Sequence, residues 1–348
     1  MLNKPDLADA LIAERLRVGF GISSARIEFL PVGNDTFAFV YRVLASDGTA
    51  YFLKARKGDV YPPSLLVPCY VQDHGVPQAI APLPTISGGF SARAGDFTLI
   101  VYPFVDGKDA MTMGMTDVQW VEYGAIVRAI HDVEPSAELR AQVPTETFEP
   151  DPFWSEMMAT LNARIGAGEF DGGPLGEAAN FWKRKRAEFD AIMRRTSALG
   201  QLLREARRPL VLCHADIHTA NILVDVRGGL HVVDWDQPIF APKERDLMFV
   251  SGAGAGLPVE SHQHALFMHG YGASEADIDW LALAYYRYLW VVQDVGDYAW
   301  RAFILDDIGE DARAAAVREL PRLFEPGNIV DAATIADAEL RRRTTIKL

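Results

Sequence analysis

Cysteine is nearly absent. Cys69 and Cys213 are the two in a chain of 348 residues, too few for a disulfide framework at this size. No apolar run reaches the roughly 20 residues that a membrane-spanning helix needs, and the longest candidate, 247–259, is short and glycine-rich. Asp6, Asp9 and Glu14 interrupt the first apolar stretch, so a secretory leader is not expected. Basic charge is in deficit, with 34 Lys and Arg against 47 Asp and Glu for a formal charge of −13. A sequence-independent nucleic-acid binder needs the reverse balance, because Lys and Arg must displace counterions from the phosphates. Internal repeats and low-complexity linkers are missing too. What remains, 49% hydrophobic and 23% charged, is ordinary globular composition. The expectation is a cytoplasmic enzyme with no nucleic acid and no membrane partner, a monomer or weak dimer. The acidic balance is compatible with a cationic small-molecule substrate.

Apolar periodicity divides the chain. Leu7, Leu11, Ile12 and Leu16 recur at helical spacing over 6–18. Residues 26–32, 37–45 and 50–55 read as strands, the last two joined by Ser46-Asp47-Gly48-Thr49, a hairpin signal. A short helix over 65–74 is awkward beside Pro62, Pro63 and Pro68. A further strand covers 97–104, ending at Asp106-Gly107. Helical patterns follow at 116–133, 152–165 and 175–204, then a short strand-rich insert at 210–213, 222–226 and 230–233. Helices resume from about 243, with Ser274 as the N-cap of one reaching Asp294. The expected fold class is α+β and bilobal: a β-rich N-lobe at 1–104 and a mainly helical C-lobe at 105–348. It is not a parallel α/β sheet.

The densest polar constellation is Cys213-His214-Ala215-Asp216-Ile217-His218-Thr219-Ala220-Asn221, followed by Val233-Asp234-Trp235-Asp236. A strand delivers His214 and Asp216 to a loop, Asn221 opens the next strand, and Asp234 ends the second arm of a hairpin. Two carboxylates and an amide on adjacent strand ends make a hard-oxygen site, suited to magnesium bound with substrate phosphates. The spacing His-x-Asp-x4-Asn, followed by a hydrophobic residue and Asp, is that of kinase catalytic and metal loops. Two rival readings exist. One is polar side chains that merely satisfy buried backbone groups at a strand crossing. The other is a hydrolase metal centre of His214, Asp216, His218 and Asp234, which leaves the N-lobe without a purpose.

A kinase makes two further demands. One is a turn over the phosphates, which Pro31-Val32-Gly33-Asn34-Asp35-Thr36-Phe37 supplies, Gly33 letting backbone N–H groups approach an anion. The other is a lysine on the third strand. Lys54 interrupts the apolar run Tyr51-Phe52-Leu53-Lys54-Ala55 and would be costly to bury without an anion. An edge-strand lysine facing solvent is the alternative. The stretch from Ile100 to Gly107 then reads as a strand running into a hinge, with Tyr102, Pro103 and Val105 toward an adenine edge.

Together these motifs resemble the aminoglycoside phosphotransferase branch of the protein-kinase-like fold, and most of all the spectinomycin phosphotransferase group. The likeness covers most of the chain. It is densest from Val211 to Phe249, where Asp234-Trp235-Asp236-Gln237-Pro238 and Ala241-Pro242-Lys243-Glu244-Arg245-Asp246-Leu247-Met248-Phe249 stand. Trp120, Gly124 and His131 resemble the helix after the hinge. The resemblance implies transfer of the γ-phosphate of ATP to a hydroxyl of a small, cationic aminocyclitol or aminoglycoside, and hence antibiotic resistance. It implies that Asp216 orients the hydroxyl and accepts its proton, and that Asn221 and Asp234 hold Mg2+. Lys54 would bind the α/β-phosphates under Gly33, Asn34, Asp35 and Thr36. His214 would support the loop, and Asp246 would anchor a helix. Kinases acting on choline, homoserine, methylthioribose or sugars share the motifs, and a catalytically silent nucleotide-binding module is a further alternative.

The sequence also departs from the pattern. Kinases pair the third-strand lysine with a glutamate on the following helix, but 56–82 contains no Glu. Asp59 or Asp73 would substitute, or Lys54 relies on phosphate alone. Asp236 is expected to serve stability or acceptor binding rather than the metal. For the acceptor, Asp294 and Asp297, among Trp290, Tyr298 and Trp300, are the pocket candidates, with Leu289-Trp290 more apolar than the group's pattern. Asp306, Asp307, Glu310 and Asp311 read as a solvated helix face.

Overall fold

The computed structural model describes residues 4–33, 35–250, 259–306 and 308–343. Asn34, Asp307 and the 251–258 part of the glycine-rich stretch lie outside the described residues. In chain order the elements are α1 (Asp9–Phe20), β1 (Ser24–Leu30), β2 (Ala38–Ala45), β3 (Ala50–Lys57), α2 (Pro63–Asp73), β4 (Ala92–Ala94), β5 (Phe97–Pro103) and β6 (Gly107–Asp109). Then come α3 (Ala110–Met113), α4 (Asp117–His131), α5 (Ala137–Gln142), α6 (Pro152–Gly166) and α7 (Gly173–Arg204). The insert contributes β7 (Val211–Cys213), β8 (Ile222–Asp225), β9 (Leu230–Val232) and β10 (Ile239–Ala241). The chain ends with α8 (Glu244–Leu247), α9 (Ser261–Tyr271), α10 (Trp280–Phe303), α11 (Glu310–Arg322) and α12 (Ile329–Arg343). No described helix is long and apolar enough to cross a membrane.

Two compact units result, Met1–Pro144 with His214–Ile239, and Thr145–Cys213 with Phe240–Leu348. The first is built on an antiparallel sheet in the order β1-β2-β3-β5-β4. Alternation along its strands separates two faces. Tyr41, Val43, Leu53, Ala55, Leu99 and Val101 turn to a core closed by Ile12 and Leu16 of α1. The opposite face carries Lys54, whose cross-strand neighbours are Val40 and Ile100. A smaller sheet, β6-β8-β9, belongs to the same unit. It is tied in by hydrogen bonds from Ile80 N–H to Val232 O and from Val232 N–H to Gln78 O, at 2.9 and 2.8 Å. This stitch keeps the insert hairpin beside the sheet that bears Lys54.

The second unit is helical around α10, which packs on α6, α7, α8, α11 and α12. The expected helix from Ser274 to Asp294 is corrected at both ends. Ser274 caps only the single turn Glu275–Asp277, while Asp279 caps α10 through the N–H groups of Leu281 and Ala282. Asp279 wins because it is held twice more, by Arg208 Nε at 2.7 Å and by its own N–H to Glu244 Oε1 at 2.9 Å. The helix runs past Asp294 to Phe303. The first helix ends at Phe20, where Gly21, at φ 70°, turns its N–H back to the Arg17 and Leu16 carbonyls.

Candidate active site

Lys54 is the centre of the geometry. Its stem lies between Val40 and Ile100, and the side chain is only 12% exposed. The ammonium donates to Asp234 Oδ1 at 2.9 Å and to both Asp236 oxygens, Oδ1 at 2.8 Å and Oδ2 at 2.9 Å. Burial opposes its charge, but the two carboxylates outweigh burial and raise it above the ordinary lysine value. Burial likewise opposes ionisation of Asp234, and the Lys54 ammonium overcomes this and holds that carboxyl low. Asp236 shifts the other way, pushed up by burial and then by repulsion from Asp234. The acids suggested as partners of Lys54 are not the ones found. Asp59 meets Arg93 at 3.2 Å and is fully exposed, and Asp73 is the last residue of α2. Asp236 lies beyond the end of β9 at Val232, and Asp234 has left-handed backbone, so strand alternation does not mark it; Trp235 between the two acids is buried.

The residues of the 214–221 loop are linked to this pair through the backbone. His214 Nε2 donates to the Val233 carbonyl at 3.0 Å, and its Nδ1 accepts the Asp216 N–H at 3.2 Å. Trp235 packs against the same imidazole, ring centroids 4.5 Å apart. Val233 N–H in turn reaches the Asn221 carbonyl at 3.0 Å. The Asn221 amide nitrogen donates to the Asp216 carbonyl at 2.8 Å and to Asp216 Oδ2 at 3.1 Å. That leaves Asn221 Oδ1 as the ligand-type atom. The Tyr123 hydroxyl of α4 donates to the Ile217 carbonyl and braces the loop from below. Ala215 and Asp234 both adopt left-handed backbone, φ 71° and 64°. Each costs about 1–2 kcal/mol for a residue with a Cβ, and such strain collects at functional sites.

Sequence reasoning left His218 without a role outside the hydrolase reading. Its Nδ1 accepts the Ala220 N–H at 3.2 Å, so Nε2 carries the proton of the neutral ring, 3.5 Å from Asp216 Oδ1. Burial, then the neighbouring His214, lower its pKa to about 4. The ring is neutral near pH 7. The donor pair Asp234 Oδ2 and Asn221 Oδ1 is hard oxygen and fits Mg2+.

Between β1 and β2, Gly33 has φ 100° and open space where a Cβ would stand. Asp35 does not offer its charge freely: Oδ2 meets Arg56 Nη1 at 2.6 Å and Oδ1 accepts the Phe37 N–H at 2.8 Å. This anchors Asp35 to β3. Tyr102 and Pro103 close β5 opposite Phe52 and Tyr51, with Val105 two residues beyond. In the second unit, Asp294 and Asp297 lie on α10. Asp297 is paired with Arg301, which also covers the Tyr298 ring at 5.6 Å. Burial first, and then Asp297, push the Asp294 carboxyl up to about 7. Asp246 sits buried in α8, between Arg245 and Leu247.

Comparison with known proteins bears on this arrangement. The model of the phosphotransferase enzyme family (APH) matches residues 40–286. The crystal structure of spectinomycin phosphotransferase APH(9)-Ia in complex with ADP and spectinomycin superposes with a TM-score of 0.81 at 27% identity, covering 96% of this chain and 99% of that one. Protein StrN of Streptomyces griseus is 28% identical over 225 residues, 63% of this chain and 67% of StrN. Amicoumacin kinase in complex with AMP-PNP and Ca2+ shares the fold, with a TM-score of 0.57 at 16% identity over 94% of this chain and 97% of its own. The fold is the kinase-like one of aminoglycoside phosphotransferases, α+β as expected, with an antiparallel sheet in one unit and helices dominating the other. On the strength of the matched residues and the fold they build, this chain belongs to the phosphotransferase enzyme family and is a phosphotransferase.

Proposed function

We propose that the protein transfers the γ-phosphoryl group of ATP to a hydroxyl of a small cationic acceptor of the aminocyclitol or aminoglycoside kind. The observation that carries this reading is the linked set Lys54, Asp234, Asn221 and Asp216, joined within one compact unit by the contacts above. The likeness to a spectinomycin kinase supports the acceptor class. Residues 1–104 would cover the nucleotide and 105–348 would carry the catalytic loop and acceptor site. A cytoplasmic setting and a part in antibiotic resistance belong to the same reading.

In this mechanism Asp216 accepts the hydroxyl proton and aims the oxygen at the γ-phosphorus. Its carboxylate is oriented by the Asn221 amide, and neutral His218 does not cancel its charge. Lys54 draws in the α/β-phosphates, the Gly33–Thr36 backbone covers them, and Tyr102, Pro103 and Val105 receive the base. Asn221 and Asp234 would hold a divalent ion, expected to be Mg2+, which neutralises phosphate charge. Phosphoryl transfer asks for little covalent chemistry from the protein, so positioning and charge neutralisation carry the rate. Asp294 and Asp297 are the carboxylates proposed for the acceptor's ammonium groups.

The test is Mg2+-dependent ATP turnover over a panel of aminocyclitols, amino alcohols and neutral sugars. An aminocyclitol is expected to be the best acceptor, and preference for a neutral sugar would overturn the cationic part of the reading. Asp216→Asn should lower kcat by roughly 10²–10⁴-fold while the ATP KM changes little. Near-normal turnover by the folded variant would remove Asp216 from this role.

A further inference from the structure

We infer that Asp236 is the fixed anchor of Lys54, standing where kinases use a helix glutamate, and that Asp234 is the exchangeable partner that Lys54 gives up to the nucleotide-bound metal. The inference rests on the phosphoryl-transfer reading above and adds the residue that positions its lysine.

The helix after β3 has no acid able to do this work. α2 opens with Pro63 and Ser64, contains Pro68, and reaches an acid only at Asp73. Meanwhile an ammonium has three N–H donors, and Lys54 makes three short contacts, two to Asp236 and one to Asp234. The two acids therefore hold it unequally. Asp236 engages both of its oxygens, as a permanent partner does, whereas Asp234 touches Lys54 through Oδ1 alone and keeps Oδ2 for another cation. Among the described residues no other carboxylate pairs with Lys54. Arg56, the other cation on this face of β3, is tied to Asp35 at 2.6 Å and does not compete for Asp236 by contact.

When phosphate arrives, one N–H of Lys54 must be freed. Breaking the single bond to Asp234 frees it and at the same moment releases a carboxylate for the metal that accompanies the nucleotide. Breaking the two-bond grip of Asp236 would free the lysine head from its only remaining fixed point. Trp235 makes the division possible. Its ring is buried and its Nε1 donates to the Val232 carbonyl at 3.3 Å, which pins the backbone between the two acids so that one can turn while the other stays.

The experiment compares wild type, Asp236→Asn, Asp236→Glu, Lys54→Met and the double variant Lys54→Met/Asp236→Asn. Four quantities are read: kcat, the ATP KM, half-saturating Mg2+ at saturating ATP, and ADP affinity in EDTA by calorimetry. Asp236→Asn should lower kcat on the order of 10–100-fold, as a misplaced positioning group does. It should also weaken metal-free ADP binding without moving the Mg2+ requirement. Asp236→Glu should recover part of both losses, which a purely structural role would not give. In the Lys54→Met background, adding Asp236→Asn should change neither quantity by more than about twofold, the sign of two residues acting as one unit. If Asp236→Asn alone fails to fold, the two Lys54→Met proteins, where no ammonium is orphaned, carry the comparison by themselves. Losses that simply multiply, or a defect repaired by added Mg2+, would overturn the assignment and make Asp236 an independent group or a metal ligand. Failure of the wild type to bind ADP or turn over ATP would instead overturn the phosphoryl-transfer reading, and this assignment with it.

Discussion

Asp294 ties pH to stability and, in the acceptor role proposed for it, to acceptor choice as well. Burial and the nearby Asp297 raise its carboxyl from an ordinary 3.8 to about 7. Arg301 cannot fully compensate, being paired with Asp297. A folded-state pKa above the unfolded one means that the native state binds the proton more tightly. Stability is then full below the unfolded value and declines as pH rises through the window from about 4 to about 7. Asp294→Asn removes that decline, so it should melt higher than wild type at pH 8 and match it near pH 4 in a Tm-against-pH series. The same ionisation should govern the acceptor. An ammonium is attracted only by the charged form, so the KM for a cationic acceptor should fall as pH rises through 7, and Asp294→Asn should flatten this profile. A neutral acceptor of choice together with a kinetically silent Asp294→Asn would remove Asp294 from the site and leave the phosphotransferase assignment standing. At this scale the sequence was readable wherever spacing alone sets geometry, as for Asp216, Asn221 and Asp234. It was unreadable for the partner of Lys54, because a contact across 182 positions has no local signature.

Among the elements, β6 was missed altogether, and it is the one with the least tolerance. Three residues are too few for a period to show, and Asp106-Gly107 looks like the turn that ends β5. In the fold Gly107 is the first residue of β6 and faces Asp225 across the ladder. A Cβ there would stand 2.2 Å from the Val224 carbonyl oxygen and 2.8 Å from Asp225 Cα. Both obstacles are backbone, so neither can rotate away. Gly107→Ala should therefore cost about 1–3 kcal/mol, the range for overpacking, measured by urea denaturation. It should also lower turnover, because β8, the strand it would displace, begins immediately after Asn221. A variant as stable and active as wild type would mean that β6 does not hold β8. The longer elements were legible because each has one apolar side: β2 and β3 alternate, and α4 presents Trp120, Tyr123, Val127 and Ile130 to its core. Where two caps compete within five residues, as Ser274 and Asp279 do, local preference is silent. The choice falls to partners far along the chain, Arg208 and Glu244.

For the molecule as a whole, the net charge of −13 acts on the two proposed substrates with opposite sign. A cationic acceptor is drawn toward an acidic protein before any contact forms, whereas ATP, anionic even with its metal, is repelled until the local field of Lys54 takes over. These long-range effects are screened beyond a Debye length of about 10 Å at 0.1 M salt. Contacts inside the site, such as the one proposed for Asp294, are screened much less. Raising ionic strength from about 0.02 to about 0.3 M at constant free Mg2+ should thus lower kcat/KM for the cationic acceptor, at the low end of the 10–10³-fold range known for steering. Over the same range kcat/KM for ATP should stay level or rise. Because the steering comes from the whole chain, the salt slope for the acceptor should persist in Asp294→Asn even though its KM is higher. A neutral acceptor run in parallel should show no slope, which separates steering from any general effect of salt on the enzyme. If acceptor and ATP respond to salt in the same direction, the net charge has no part in choosing the substrate, and cation preference must then come from the carboxylates of α10 alone.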